Sequence, residues 1–267
     1  MTDETRPAGA AAPTPISIKQ YEQLQPRAAI EHAGVRMVFS TPSEMALWRV
    51  RTIRTKEPCT LEWIEGFQAD DVLLDCGANV GMYTIWAAAT RGVRVFAFEP
   101  EAQNYALLNR NILLNNLSAR VHAYCMGLSD TSGLSQLHMA DLRLAGSCHS
   151  VGEALDYKLE PLRPLFVQGC VVSRLDDLIA QGATPVPTHI KIDVDGFEHK
   201  VIDGARQTLR NPAVKSLLIE TNPALAEHRG MVEALRDLGF AYDEAQVSAA
   251  ARKEGPFKGV AEHIFRR

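Results

Sequence analysis

From Asp71 onward the apolar positions fall into alternating short runs and helical stripes. Val72-Leu-Leu-Asp75 has the length and continuous apolarity of a strand covered on both faces, and Val80 to Arg91 follows with helical length. Val93 to Phe98 reads as a second strand, and residues 101–115 as a helix with Tyr105, Leu108 and Ile112 on one face. Val121 to Leu128 is a third strand. Later, His189 to Asp193, Ser216 to Glu220 and Glu262 to Phe265 read as strands. Between them lie helices over 197–210, with Val201, Ala205 and Leu209 in register, and over 224–238, stopped by Gly239. This rhythm predicts an α/β fold: a mostly parallel, seven-stranded, Rossmann-like sheet with helices on both faces.

Two stretches depart from the rhythm. Residues 131–187 hold strand-like pieces at 133–139 and 166–173, separated by a loop rich in Gly, Ser and Pro. In an open α/β sheet ligands bind beyond the carboxyl ends of the strands, so an insertion after the third strand predicts a lid facing substrate. Before the alternation, Val35 to Phe39 suggests a strand, and Thr41-Pro42-Ser43-Glu44 is a helix start with a capping hydroxyl and an N1 proline. Met45 and Trp48, then Leu61, Ile64 and Phe67, mark two short helices. The expected organisation is a disordered tail over 1–15, an N-terminal helical cap over 16–70 and one domain over 71–267.

The chain has 267 residues, 46% of them hydrophobic and 22% charged, enough to bury a large core. A net charge of −4 argues against a nucleic-acid partner, whose binding surface needs a basic excess. The five cysteines are scattered, with no C-x-x-C pair, which favours a reducing cytoplasm over a disulfide framework. No apolar run approaches the roughly 18 residues of a membrane span, and the opening residues do not read as a secretory signal. A soluble cytoplasmic protein with no membrane partner is expected. Its oligomeric state is left open, a homodimer being one option.

The chemistry concentrates at the strand tips. The first strand ends in Asp75-Cys76-Gly77-Ala78-Asn79-Val80-Gly81 and runs into a helix, whose free N–H groups suit an anion. Gly77 and Gly81 lack a Cβ that would block a ligand, and Asp75 can accept from an ammonium group or a water. Glu99, 24 residues after Asp75, ends the second strand beside Pro100 and is placed to accept from both hydroxyls of a ribose. Gly127 and Leu128, at the third strand tip, would border the adenine. The plainer alternative is a tight turn with a solvent-facing glutamate. The spacing is G-x-x-x-G, without the G-x-G-x-x-G of a dinucleotide fold or the G-K-[ST] of a phosphate loop.

The pattern Asp75 to Gly81 with Glu99 resembles the first motifs of class I methyltransferases. A closer resemblance lies downstream. Ile190-Lys-Ile-Asp193-Val-Asp195-Gly196-Phe-Glu198 with Val201-Ile-Asp-Gly204-Ala205 is similar to the signature of the FkbM family of methyltransferases. Phe98-Glu99-Pro100, Asn104 to Asn111, Gly127-Leu-Ser-Asp130 and Ile219-Glu220-Thr-Asn222 follow in the same order, so the resemblance spans about residues 58–222. Asp195 stands where the family usually has Glu. What the resemblance implies is S-adenosylmethionine as cofactor and methyl transfer to a hydroxyl of a small molecule, of sugar or polyketide type. A nicotinamide-dependent oxidoreductase and a cofactor-binding pseudo-enzyme are the competing readings.

A sulfonium methyl is already activated, so positioning is the main requirement, with a base to take the hydroxyl proton. Lys191 and Asp193 project to one side of the fourth strand. Asp193 is the expected base or orienting group on the acceptor side. Lys191 is a base only if burial lowers its pKa, and otherwise an ion-pair partner for Asp193. Asp195 and Glu198 open the next helix, where acids favour the dipole, and Gly196 permits the sharp turn. Asp195 and Glu198 lack the spacing of a calcium loop, and no histidine pair has metal-ligand spacing, so no metal is expected. Trp48 and Trp63 read as core ahead of sugar-stacking platforms, Arg49, Arg51 and Arg54 as a solvated helix face, and His149 as a solvated loop residue ahead of a group that approaches an acceptor.

Overall fold

The computed structural model describes residues 15–267. Residues 1–14, which hold nearly all of the expected tail, lie outside them. The described part opens with α1 (Ile18–Gln23) and a hairpin of β1 (Arg27–His32) and β2 (Val35–Ser40). Ala33 and Gly34 turn the hairpin with φ of 48° and 78°, the left-handed pair whose twist matches that of the strands. Then come α2 (Glu44–Lys56) and α3 (Pro58–Glu65). The cap is therefore not wholly helical. Arg27-Ala-Ala-Ile-Glu-His carries one large apolar side chain, too weak a pattern to announce the partner of β2. The cap of α2 also differs from expectation, because Ser43 Oγ accepts from Ala46 N at 3.1 Å and Thr41 lies outside the helix.

The main sheet begins with β3 (Val72–Cys76), α4 (Met82–Arg91), β4 (Arg94–Phe98), α5 (Ala102–Leu114) and β5 (Val121–Tyr124). The chain then builds a second sheet from β6 (Gly127–Leu128), β7 (Gly133–Met139), β8 (Ser150–Val151) and β9 (Phe166–Ser173), followed by α6 (Leu175–Ala180). It returns through β10 (His189–Ile192), α7 (Glu198–Asp203), β11 (Ser216–Thr221), α8 (Ala226–Asp237), α9 (Glu244–Ala250) and β12 (Ala261–Arg266). Among the described residues the main sheet has six strands in the order β5-β4-β3-β10-β11-β12, all parallel except β12. The seven-stranded expectation is corrected, because the runs after Asp71 supply six strands to this sheet while 133–139 and 166–173 pair with each other in the second sheet. The 121–128 run is also divided. Gly127 and Leu128 leave the main sheet and pair with Val172 and Ser173 of β9.

Alternation along the buried strands sorts side chains to two cores. Leu73, Val95 and Ala97 pack with α2 to α5, while Val72, Leu74, Phe96 and Ile190 pack on the opposite face with α7 and α8. The order of the strands places the site. The chain moves outward from β3 through β4 to β5, then crosses back to lay β10 on the other side of β3. A crevice opens where the order reverses, beyond the carboxyl ends of β3 and β10. The two strand exits run so close that a Cβ on Gly77 would sit 1.9 Å from the carbonyl oxygen of Asp193.

The expected helix over 197–210 is interrupted. It ends at Asp203, and only one 3₁₀ turn, Thr208–Arg210, follows. Val201, Ala205 and Leu209 are all buried, so the apolar register runs through a break that sequence periodicity does not register. The cause lies at Gly204, where a Cβ would meet Ser129 O at 2.0 Å and Asp176 N donates to the glycine carbonyl at 3.0 Å. Gly204 has φ −76°, unstrained for any residue, so the requirement is steric alone. Gly204→Ala is expected to cost roughly 2–4 kcal/mol, read as a lower urea midpoint at unchanged slope. An unchanged midpoint would show that the Ser129 backbone yields freely.

Candidate active site

The loop after β3 is built from left-handed residues, with φ of 80° at Gly77, 50° at Asn79 and 83° at Gly81. It is stitched to the tip of β4. Gly77 N and Ala78 N both donate to Phe98 O at 3.0 Å, and Asn79 N donates to Glu99 Oε2 at 2.8 Å. Glu101 N donates to the other oxygen of Glu99 at 2.9 Å. The buried Glu99 carboxylate is thus fixed at both oxygens, and each oxygen keeps capacity for another hydrogen-bond donor. Burial pushes its pKa up to about 7, against the pull of the Glu101 and Asn79 amides.

The glycines have a second reason beyond room for a ligand. A Cβ on Gly81 would lie 2.4 Å from Leu108 Cδ1, so the fold's own packing demands glycine there as at Gly77. Asp75 also differs from expectation. It is 1% exposed and lines neither of the two cavities of the crevice; its Oδ2 accepts from Thr84 Oγ1 at 2.5 Å, and its Oδ1 has no partner among the described residues. Its register partner across the strands is Lys191, placing the two side chains on one face of the sheet below the site.

A cavity of about 390 Å³ lies in the crevice. Of the expected residues, Gly77, Asn79, Glu99, Pro100, Gly127, Leu128 and Asp193 line it. Ala78 and Lys191 line a small adjoining cavity of about 40 Å³, which also reaches Asp193. Gly81 lines neither. Lys191 Nζ bonds Asp193 Oδ2 at 2.9 Å. Burial alone would lower the lysine's pKa, but Asp193 and then Asp75 hold it above its ordinary value, which removes Lys191 as a base. Burial alone would raise Asp193, but the Lys191 ammonium, with Lys56, holds its carboxyl well below the usual range. Asp193 is therefore a fixed anion with little affinity for a proton.

Other carboxylates in the wall are shifted the opposite way. Burial and the charge of Asp193 push Asp195 up to about 6, against the Cys148 amide that bonds it at 2.7 Å. The same two causes raise Glu220 well above its ordinary value, although Arg252 bonds it directly. Glu57, Glu220 and Glu262 converge as a metal site's ligands would, but Arg252 Nη2 reaches all three, 3.4 Å from Glu262 and 4.0 Å from Glu57. Glu198, expected as a dipole acid, accepts from Val194 N at 2.8 Å and pairs with the buried His228 at 3.1 Å.

Several lining residues were not among the expected site residues. Trp48, Arg49 and Lys56 come from α2, Cys148 and His149 from the insertion, and Glu220, Arg252 and Phe257 from the C-terminal third. Trp63 is core as expected, whereas Trp48 is exposed at the cavity. Arg49 is not on a solvated face, because its Nε donates to Ala145 O at 2.8 Å. Its spacing of seven from Lys56 placed both on one helical stripe, a signal present in the sequence but masked by Arg51 and Arg54.

The insertion is clasped to the loop after β3. Asn79 Nδ2 donates to Gly146 O at 2.7 Å, Asn104 Nδ2 to the same oxygen at 3.2 Å, and Ala145 N to Asn104 Oδ1 at 2.9 Å. The cap joins them through Ser43 Oγ, 2.9 Å from Leu144 O.

A family model, the methyltransferase FkbM domain, matches residues 75–242. The chain belongs to the FkbM family of methyltransferases. It is similar to the hexuronic acid methyltransferase AglP of Haloferax volcanii, at 26% identity over 68% of this chain and 69% of that protein. It is also similar to the 31-O-demethyl-FK506 methyltransferase FkbM of Streptomyces tacrolimicus, at 27% identity over 64% of this chain and 72% of that protein. The crystal structure of a methyltransferase FkbM from Methylobacillus flagellatus KT aligns at a TM-score of 0.48 and 18% identity. That alignment covers 75% of this chain and 44% of the other, so this chain spans less than half of that protein's length. The chain is thus a methyltransferase by family, and the nicotinamide-dependent reading falls away. No helix among the described residues is long and apolar enough to cross a membrane.

Asn104→Ala removes two of the bonds that hold the 144–149 loop. Amide exchange of that loop is expected to rise about 10–100-fold, with the β3 amides unchanged, by exchange mass spectrometry. Uniform acceleration across both segments would mean that Asn104 supports the fold rather than the clasp.

Proposed function

We propose that this FkbM-family protein transfers a methyl group from S-adenosylmethionine to a hydroxyl of a small molecule. The observation that carries the reading is Glu99, a buried carboxylate whose two oxygens are fixed by backbone amides at the edge of a cavity that also reaches Asp193 and Glu220. Glu99 fits two ribose hydroxyls, Gly77 to Asn79 with Pro100 border the nucleoside, and Gly127 with Leu128 border the adenine. S-Adenosylmethionine, when bound, supplies a methyl group already activated by a sulfonium.

The protein's own residues hold the reactants and move one proton. Asp193 stays anionic and orients, while Glu220, whose proton affinity is raised, takes the acceptor's hydroxyl proton. Arg252 fixes Glu220 in place. The base role first expected of Asp193 passes to Glu220, because a carboxylate so firmly ion-paired is too weak a base. The 144–149 loop closes the cavity against water. A hydroxylated acceptor agrees with the names of the relatives: AglP is named for a hexuronic acid and the Streptomyces enzyme for an oxygen of FK506.

The ribose assignment has a pH signature. Both ribose hydroxyls donate only to the ionised carboxylate, and Glu99 ionises at about 7 in the free protein. Affinity for S-adenosylhomocysteine is therefore expected to rise with pH through about 7 and to level off above it. Glu99→Gln flattens the profile, and Glu99→Ala weakens binding by about 10–100-fold. Calorimetry with a flat wild-type profile and unchanged affinity in Glu99→Ala would sink the assignment.

Turnover tests the base. With labelled S-adenosylmethionine and a panel of hexuronic acids and polyketide alcohols, Glu220→Gln is expected to lose about 10²–10⁴-fold in rate at unchanged S-adenosylhomocysteine affinity. Full activity of Glu220→Gln would return the base role to another group. Methyl transfer to no hydroxyl acceptor in the panel would count against the substrate class.

A further inference from the structure

Glu262 has no role in the reading above and lines neither cavity of the crevice, yet it is the neighbour of the proposed base. It is the register partner of Glu220 across the antiparallel β11–β12 pair, so the two side chains leave the same face of the sheet. Carboxylates placed opposite one another repel, and Glu262 is buried, 3% exposed. Its Oε1 lies 3.4 Å from Arg252 Nη2, and Cys59 Sγ donates to its Oε2 at 3.9 Å. The same Arg252 nitrogen bonds Glu220, so the two acids share one guanidinium nitrogen.

The charges around the pair do not balance. Glu57, from the junction of α2 and α3, is a third acid, with one oxygen of each of the three within 4.8 Å of the others. Lys56 bonds Glu57, which leaves Arg252 as the one cation paired with Glu220 and Glu262 among the described residues. Asp193, Asp195 and Glu198, from the exit of β10, add negative charge beside Glu220, and Asp193 does so beside Glu262. The Tyr83 hydroxyl of α4 and the Cys59 thiol of α3 also face these acids and stay neutral. Two carboxylates against one guanidinium in such a place hold a proton in preference to an unanswered buried charge. Burial, then Glu57, pushes Glu262 up to about 7 against the pull of Arg252.

Resting on the base role given to Glu220 above, we propose that Glu220 and Glu262 work as one proton-holding pair about Arg252, with Glu220 facing the acceptor and Glu262 as its positioning residue. The pair holds one proton at rest and takes a second through Glu220 during transfer. The acceptor's O–H bond breaks and its oxygen bonds the methyl carbon, while the carbon–sulfur bond leaves its electron pair on sulfur. The freed proton goes to Glu220. Pair and guanidinium, neutral together at rest, then carry the one positive charge that the sulfonium has lost. Glu57, Arg252 and Glu262 all lie outside residues 75–242, so a base inside the family domain is set from outside it.

Glutamate carboxyl resonances, followed by NMR across a pH titration of the free isotope-labelled protein, test the pairing without any acceptor. The Glu220 and Glu262 resonances, assigned with Glu220→Gln and Glu262→Gln, are expected to follow one shared two-step titration. In Glu262→Gln the Glu220 resonance is expected to keep a single step, at least about one pH unit below its wild-type upper step, because Arg252 then answers it alone. Glu262→Asp, which keeps the charge, is expected to retain the upper step. An unmoved Glu99 resonance verifies that each variant is folded. Turnover on the acceptor panel separates the two readings. Its rising limb is expected to move to lower pH in Glu262→Gln with the Glu220 titration, and its plateau to fall about 3–10-fold because the base is weaker. A Glu220 titration left in place by Glu262→Gln overturns the role of Glu262 and leaves the base to the Glu220→Gln test. A Glu220 titration that moves while the turnover limb stays overturns the base reading itself.

Discussion

One buried ammonium group organises the site. Lys191 is 2% exposed on the central parallel strand pair, with Asp193 bonded to it and Asp75 opposite in register. A lone charge there would cost several kcal/mol, and the two carboxylates are what keep it ionised. The arrangement demands that β3 and β10 be neighbours and in register. That neighbourhood brings the Asp193 carbonyl against Gly77, where no Cβ fits. The loop geometry, the reversal of strand order and the charge of the floor are consequences of one contact. Removing the Asp193 carboxylate would therefore disturb the fold as well as the chemistry, whereas Asn at 193 would keep a polar partner for Lys191.

The same contact divides labour among the acids. Asp193 is held ionised by Lys191, and its fixed negative charge then raises the proton affinity of Asp195 and Glu220 beside it. A permanently charged group suits orientation, and a group with raised proton affinity suits proton transfer. Glu99 is set apart from both. Its ionisation is controlled by burial and by two amides.

The parallel core was legible in the sequence because strands buried on both faces read as unbroken apolar runs, and β7 and β9 were read to the residue. What was hidden had physical causes. The hairpin strand β1 carries one large apolar residue, so pairing rather than burial defines it. The run 121–128 kept its apolar character while its backbone changed sheets, and residue type does not record a change of partner. Val201, Ala205 and Leu209 stay buried across a helix break because Gly204 lets the chain press on Ser129. Around the cavity, motif spacing pointed to the loop and Glu99, which lie near one another along the chain. It missed Arg49, Glu220 and Arg252, which reach the cavity from distant segments and have chemistry only in company.

That division follows the boundary of the family domain. The matched stretch runs over residues 75–242 and contains the loop, Glu99, Asp193 and Glu220. Trp48, Arg49, Arg252 and Phe257 lie outside it, yet all line the cavity. Tyr157 OH donates to Pro256 O at 3.2 Å and its ring packs at 4.4 Å on Phe257, so the insertion and the C-terminal loop meet beside that wall. A cavity serving relatives with different acceptors needs a constant part and a replaceable part. The constant part is tied to the sheet through Lys191 and Gly77 and cannot move without breaking the fold. The replaceable part is carried on two loops and on the exposed Trp48 of α2, where substitution costs little stability. On the reading proposed above, acceptor choice can change at Trp48 and the two loops while the floor set by β3 and β10 stays fixed.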